Sequence, residues 1–170
     1  MKTLIDDWNK HKHSSLRPLF ALWTYRFGRF ALHSDNWIVR KVLGIIYLLV
    51  QPFGEFIGGI YLYRDTNLGA EPHFIHAGNI QINPKAVIGD RVGFMHGVTI
   101  GVEPSDSTYP VIGDDVFLGA NCTVLGGVKV GNGATISANS LVITDVPEGA
   151  LAIGVPAKML PKGAFSAPKK

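Results

Sequence analysis

Residues 112–147 read IGDDVF, LGANCT, VLGGVK, VGNGAT, ISANSL, VITDVP, six consecutive hexapeptides in one phase. The first place of each is aliphatic: Ile112, Leu118, Val124, Val130, Ile136 and Val142. The fifth is small or β-branched: Val116, Cys122, Val128, Ala134, Ser140 and Val146. A half-buried strand alternates every two residues and a helix repeats near 3.6, so neither produces a strict period of six. A short strand followed by a turn does, with one apolar side chain turned inward per repeat. Three such units close a triangular coil of roughly 18 residues, and coils stack through strand hydrogen bonds about 4.8 Å apart. One coil cannot bury its own core, so stacking supplies the stability. The expected fold is mainly β, a parallel β-helix.

The phase extends backwards through Ile82, Ile88, Phe94 and Ile100. Further upstream, Leu62, Leu68, Phe74 and Ile80 keep the step of six but are offset by two residues, which places a break at Ile80-Gln81. The string VEPSDSTY (102–109) has no hexapeptide character and reads as a loop extruded from one corner, within 101–111. Residues 1–60 differ in kind. Leu16 to Leu32 and Trp37 to Val50 carry aromatic and aliphatic residues at helical spacing, with Arg17, Arg26, Arg29, Arg40 and Lys41 between them. Ser34-Asp35-Asn36 supplies a break and a helix N-cap, and Pro52 should end or kink the second helix. The expected domains are a short α-helical N-terminal cap (1–60), the β-helix (61–160) and a basic, flexible tail (161–170).

Composition narrows the classes further. The chain has 170 residues, 46% hydrophobic and 17% charged, which suits one domain with a small appendage. Its net charge of +3 is partly due to Lys158, Lys162, Lys169 and Lys170, so no nucleic-acid partner is expected. A single cysteine, Cys122, excludes an internal disulfide. The N-terminus MKTLIDDWNKHKH lacks the apolar core of a secretory signal, which points to the cytoplasm. The apolar run Val42 to Val50 is short against the ~20 residues of a membrane span. The basic-aromatic helices suit either the inner face of a membrane or packing against the solenoid and neighbouring subunits.

The segment FIHAGNIQINPKAVIGDRVGFMHGVTIG (74–101), the array from Ile112 and the closing IGVPAKML resemble the serine acetyltransferase family of hexapeptide-repeat acyltransferases. Within it they look most like the short enzymes that acetylate capsule and exopolysaccharide sugars, the colanic acid acetyltransferase type. The resemblance runs from about Leu62 to Leu160 and implies a left-handed coil, a homotrimer and acetyl-CoA as cosubstrate. It also implies a cleft between two subunits, with the pantetheine arm against backbone at Gly101, Ala120 and Ala138. Lys158, and after it Lys162, would meet the nucleotide phosphates, although a solvated basic tail explains them equally.

Transfer of acetyl to a hydroxyl needs a base, a polarised carbonyl and two substrates held together. The family's base histidine matches His76, one of six histidines, the others being His11, His13, His33, His73 and His96. Imidazole titrates near neutrality and suits that role. His96 stands at the same place of its hexapeptide and should stack on His76, either orienting it or merely packing. His73, His76 and His96 are the candidate metal ligands, but no carboxylate supports them and no metal is expected. Cys122 sits at a core-facing place and reads as a small hydrophobe.

The family carries an aspartate before the base and an Arg-His pair after the extruded loop. Ile75, Thr108 and Tyr109 stand there instead. Without those charges a zwitterionic amino acid is poorly held, so the expected acceptor is a saccharide hydroxyl, with Tyr109 stacking on the sugar or packing the loop. The alternatives are serine O-acetylation and, from another class, a non-catalytic trimeric scaffold.

Overall fold

The computed structural model describes residues 7–8, 11, 16–103, 107–161 and 163. Helices α1 (Arg17–Leu32) and α2 (Trp37–Gly58) precede fifteen short strands. These are β1 (Ile60–Tyr61), β2 (Asn67–Leu68), β3 (His73–Phe74), β4 (Ile80–Ile82), β5 (Val87–Ile88), β6 (Gly93–Phe94), β7 (Thr99–Gly101) and β8 (Val111–Ile112). Then come β9 (Phe117–Leu118), β10 (Thr123–Leu125), β11 (Lys129–Val130), β12 (Thr135–Ile136), β13 (Leu141–Val142), β14 (Leu151–Ile153) and β15 (Lys158–Leu160). They form three faces: β1-β4-β7-β10-β13, β2-β5-β8-β11, and β3-β6-β9-β12-β14-β15. Every pairing is parallel except β14 with β15. A parallel β-helix results.

The period of six accounts for the core. Ile82, Ile100, Val124 and Val142 stack on the first face, Leu68, Ile88, Ile112 and Val130 on the second, and Phe74, Phe94, Leu118 and Ile136 on the third. All are buried. Side-chain size tapers along the third face, from Phe74 and Phe94, stacked at 4.7 Å, to Ala152 at the far end.

The first coil has no coil beneath it, so the N-terminal segment closes that end. Tyr25 of α1 is buried in the core and its hydroxyl donates to the Thr66 carbonyl at 2.9 Å. Burial raises the Tyr25 pKa, against smaller opposing effects of nearby arginines. The buried His11 ring spans the joint. Its Nε2 accepts from the Phe74 N–H at 3.1 Å and its Nδ1 lies 2.8 Å from the Asp7 carbonyl. At the opposite end β15 folds back over β14.

Two expectations need correcting. Pro52 does not end α2: the helix runs on to Gly58, where the left-handed Gly59 caps it by donating to the Glu55 carbonyl. Asn36 is its N-cap, accepting from the Ile38 and Val39 N–H groups. α2 has 22 residues and an 18-residue stretch with a mean hydropathy of 1.3, long and apolar enough to cross a membrane by length and composition, which the nine-residue run did not suggest. The phase break also lies earlier than Ile80-Gln81. Gln81 pairs with Thr99 and Ile82 with Ile100, so Ile80 already stands at a fifth place. The corner before it, Ile75–Asn79, has five residues, whereas Met95–Gly97, Gly119–Asn121 and Ser137–Asn139 have three each. The two additional residues therefore widen the corner that carries His76. The loop begins after Gly101, which still pairs with Leu125; residues 104–106, Lys162 and 164–170 lie outside the described residues.

Candidate active site

Phe74 and Phe94 lie side by side in register, and each is followed two residues later by a histidine at the corner between the third and first faces. Both His76 and His96 are exposed, with ring centroids 6.1 Å apart and planes at 50°. The corner is stitched vertically by backbone hydrogen bonds. Gly97 N–H donates to the Gly78 carbonyl at 2.9 Å, Asn121 to His96 at 2.9 Å, and Asn139 to Ala120 at 2.8 Å. Asn79, Gly97, Asn121 and Asn139 all hold positive φ, the conformation that lets the chain turn this corner. His96, Ala120 and Ala138 thus form one column above His76, with methyl groups keeping its outer wall shallow.

Lys158 stands beside the far end of this column, in the adjacent row that runs through Ile75, Met95, Gly119, Ser137 and Ile153. It pairs with Ile153 of β14, and β14 lies beside β12 next to Ala138. From β3 to β15 is five strand steps, roughly 24 Å at about 4.8 Å each. An imidazole pair at one end and an exposed ammonium at the other suit an extended ligand with a reactive group and an anionic tail.

Gly101 and Tyr109 are not brought into that column. Gly101 ends β7 on the first face, four residues beyond Gly97 and so about 13 Å along the strand. Tyr109 lies at the next corner, its ring 5.0 Å from Lys85 Nζ. Thr108 packs against Gly127 in the same region. Ile75, half-buried, donates its N–H to the Phe94 carbonyl and presents an alkyl side chain where the family carries a carboxylate. Among the described residues His76 has the His96 ring as its side-chain partner.

His73 belongs elsewhere, its ring packed edge-on to His11 at 5.5 Å. Among the described residues no three His, Cys, Asp or Glu side chains lie close enough to share a metal ion. Cys122 is fully buried and burial pushes its thiol up to about 12, so it is no nucleophile. One residue of this corner was not singled out in the sequence. Asn121 places its side-chain oxygen against Gly97, beside His96. The signal was present in the Asn that recurs just before the fifth place at 79, 121 and 139.

The family model for bacterial transferase hexapeptide (six repeats) matches residues 109–144. Serine acetyltransferase 4 of Arabidopsis thaliana is 38% identical over 123 residues, 71% of this chain and 34% of that protein. The serine acetyltransferase of Helicobacter pylori strain J99 is 34% identical over 157 residues, 91% of this chain and 88% of that protein. A solved serine acetyltransferase in complex with CoA superposes with a TM-score of 0.73 at 25% identity, covering 93% of this chain and 66% of that one. The chain spans 34–59% of the length of the first three curated relatives. These relatives carry the name of the serine enzyme, and the expected closeness to capsule and colanic acid acetyltransferases finds no support among them. Matched over nearly the whole of the Helicobacter protein, the chain belongs to the serine acetyltransferase family of hexapeptide-repeat acyltransferases.

Proposed function

We propose that this chain is an acetyl-CoA-dependent O-acetyltransferase, with His76 as general base and the hydroxyl of L-serine as acceptor. The observation that carries the reading is the exposed His76–His96 pair at the head of a column of small residues, with Lys158 beside its far end. The His76 imidazole takes the hydroxyl proton as the oxygen attacks the thioester carbonyl carbon. The tetrahedral intermediate collapses with cleavage of the C–S bond, and the same imidazole returns the proton to the departing thiolate. Ala120 and Ala138 offer backbone to the pantetheine arm, and Lys158 meets the phosphates. Gly101 and Tyr109, displaced from this corner in one chain, supply the opposite wall from a neighbouring copy in a homotrimer.

Serine is favoured by the relatives' names. A saccharide acceptor is the second reading, and Ile75, Thr108 and Tyr109 favour it, because the charges that would hold an amino acid are missing from those places. The deciding measurement is release of free thiol from acetyl-CoA with L-serine against a panel of nucleotide sugars and oligosaccharides. Turnover with serine in the micromolar-to-millimolar KM range supports the first reading. Turnover confined to a sugar reverses the order, and no thiol release with any acceptor leaves the scaffold.

A further inference from the structure

Helix α2 is inserted into nothing that the chain itself provides. It packs on α1 through a narrow stripe that buries only Tyr47, Gly54 and Gly58 of its described residues. Leu49 is 66% exposed, Phe53 67% and Phe56 86%, and Ile45 and Leu48 are similarly bare. Beside this apolar surface lies a hollow of about 370 Å³. Arg40, Lys41 and Arg64 line it together with Leu32, Ile45 and Leu48, so three cations stand against an alkyl wall with no carboxylate among the lining residues. Arg64 is steadied over the Tyr47 ring at 5.0 Å and Lys41 over Trp37 at 5.5 Å.

The charge distribution selects the occupant. Across both helices and their connection the acids are Asp35, in the exposed turn, and Glu55, held by Gln51 near the solenoid. Arg26 is already paired with the buried Asp7 at 3.3 Å, so a second copy's helices would bring Arg29, Arg40 and Lys41 against Asp35 and Glu55 alone. An anionic lipid supplies both a phosphate for the cations and acyl chains for the apolar ridge. We infer that α2 lies in the plane of an anionic bilayer surface, with a phospholipid headgroup seated between Arg40, Lys41 and Arg64. The N-terminal helices then hold the solenoid, and whatever chemistry it performs, at the membrane face.

Vesicle flotation of the full-length protein tests this without an acetyl donor, so the result is independent of the transfer reaction. Vesicles of phosphatidylcholine alone are compared with vesicles containing one third phosphatidylglycerol. The protein is expected to float with the anionic vesicles only and to be released by high salt. Replacing Arg40→Gln and Lys41→Gln together should weaken binding by roughly thirtyfold, with circular dichroism and sedimentation unchanged. A Leu49→Cys chain carrying an environment-sensitive dye adds a local readout, since Cys122 is enclosed and does not label. Its emission should move to the blue on adding anionic vesicles. Absent or equal flotation on the two vesicle types overturns the inference. So does a dye already buried without vesicles, which means that a second copy covers the ridge, and so does retention after alkaline carbonate washing, which means that α2 spans the bilayer.

Discussion

A histidine that removes a proton from a hydroxyl must be reachable by substrate and held in a fixed direction. His76 meets the first requirement by exposure, and the His96 ring lies beside it, tilted by 50° at a centroid distance of 6.1 Å. Neither ring supports the core, so the two can be removed without opening a cavity. His76→Ala is therefore expected to lower kcat for thiol release by roughly 10²–10⁴-fold, with circular dichroism and assembly size unchanged. Retention of more than a tenth of the activity would remove His76 from the base role. The histidine and its repeat position were legible in the sequence, as was the inward-facing Cys122. The wall around Tyr109 was not, because which corner a loop overhangs depends on strand pairing at a distance.

At the scale of the element, the corners govern the site. Aspartate and asparagine side chains brace the corner between the second and third faces. Asp90 accepts from Ala70 N–H, Asp114 from Asp90 N–H, and Asn132 from Asp114 N–H. Left-handed residues turn both corners, Glu71, Arg91, Asp115 and Gly133 at this one and Asn79, Gly97, Asn121 and Asn139 at the histidine corner. Gly97 has φ of 71°, and a Cβ there would collide with the Asn121 side-chain oxygen. Gly97→Ala is expected to destabilise the fold by at least about 1 kcal/mol and to lower acetyl transfer by shifting the neighbouring His96. Thermal melting and the thiol assay on the same preparation check both effects. An unchanged melting temperature would mean that the corner relaxes freely. The two-residue widening at Ile75–Asn79 reads in the sequence as a break just after it, at Ile80-Gln81. An apolar residue at 80 satisfies a six-step count from Phe74, and only the pairing of Gln81 with Thr99 reveals its true place.

For the whole molecule, the distribution of candidate residues over two corners makes a shared cleft the simplest arrangement. The column His76, His96, Ala120 and Ala138, with Lys158 beside its far end, lies on one part of the surface, and Gly101 with Tyr109 on another. A trimer whose clefts combine both walls predicts complementation between damaged chains. His76→Ala and Gly101→Trp chains, inactive separately, should regain measurable activity when unfolded together and refolded as a mixture. Some clefts then join two intact walls. Failure of the mixture to exceed either parent would mean that each chain completes its own site.

The sequence by itself determined the β-helix, its inward residues and the paired histidines, because a period of six dictates which side chains point to the axis whatever their distant neighbours are. The tertiary structure alone decided where the extra residues of the first coil lie, that α2 continues through Pro52, and which cations meet around the hollow beside it. Those features depend on strand register and helix packing between distant segments. Arg64 and Arg40 are brought together by a first coil docked on α2, a contact that no local pattern encodes.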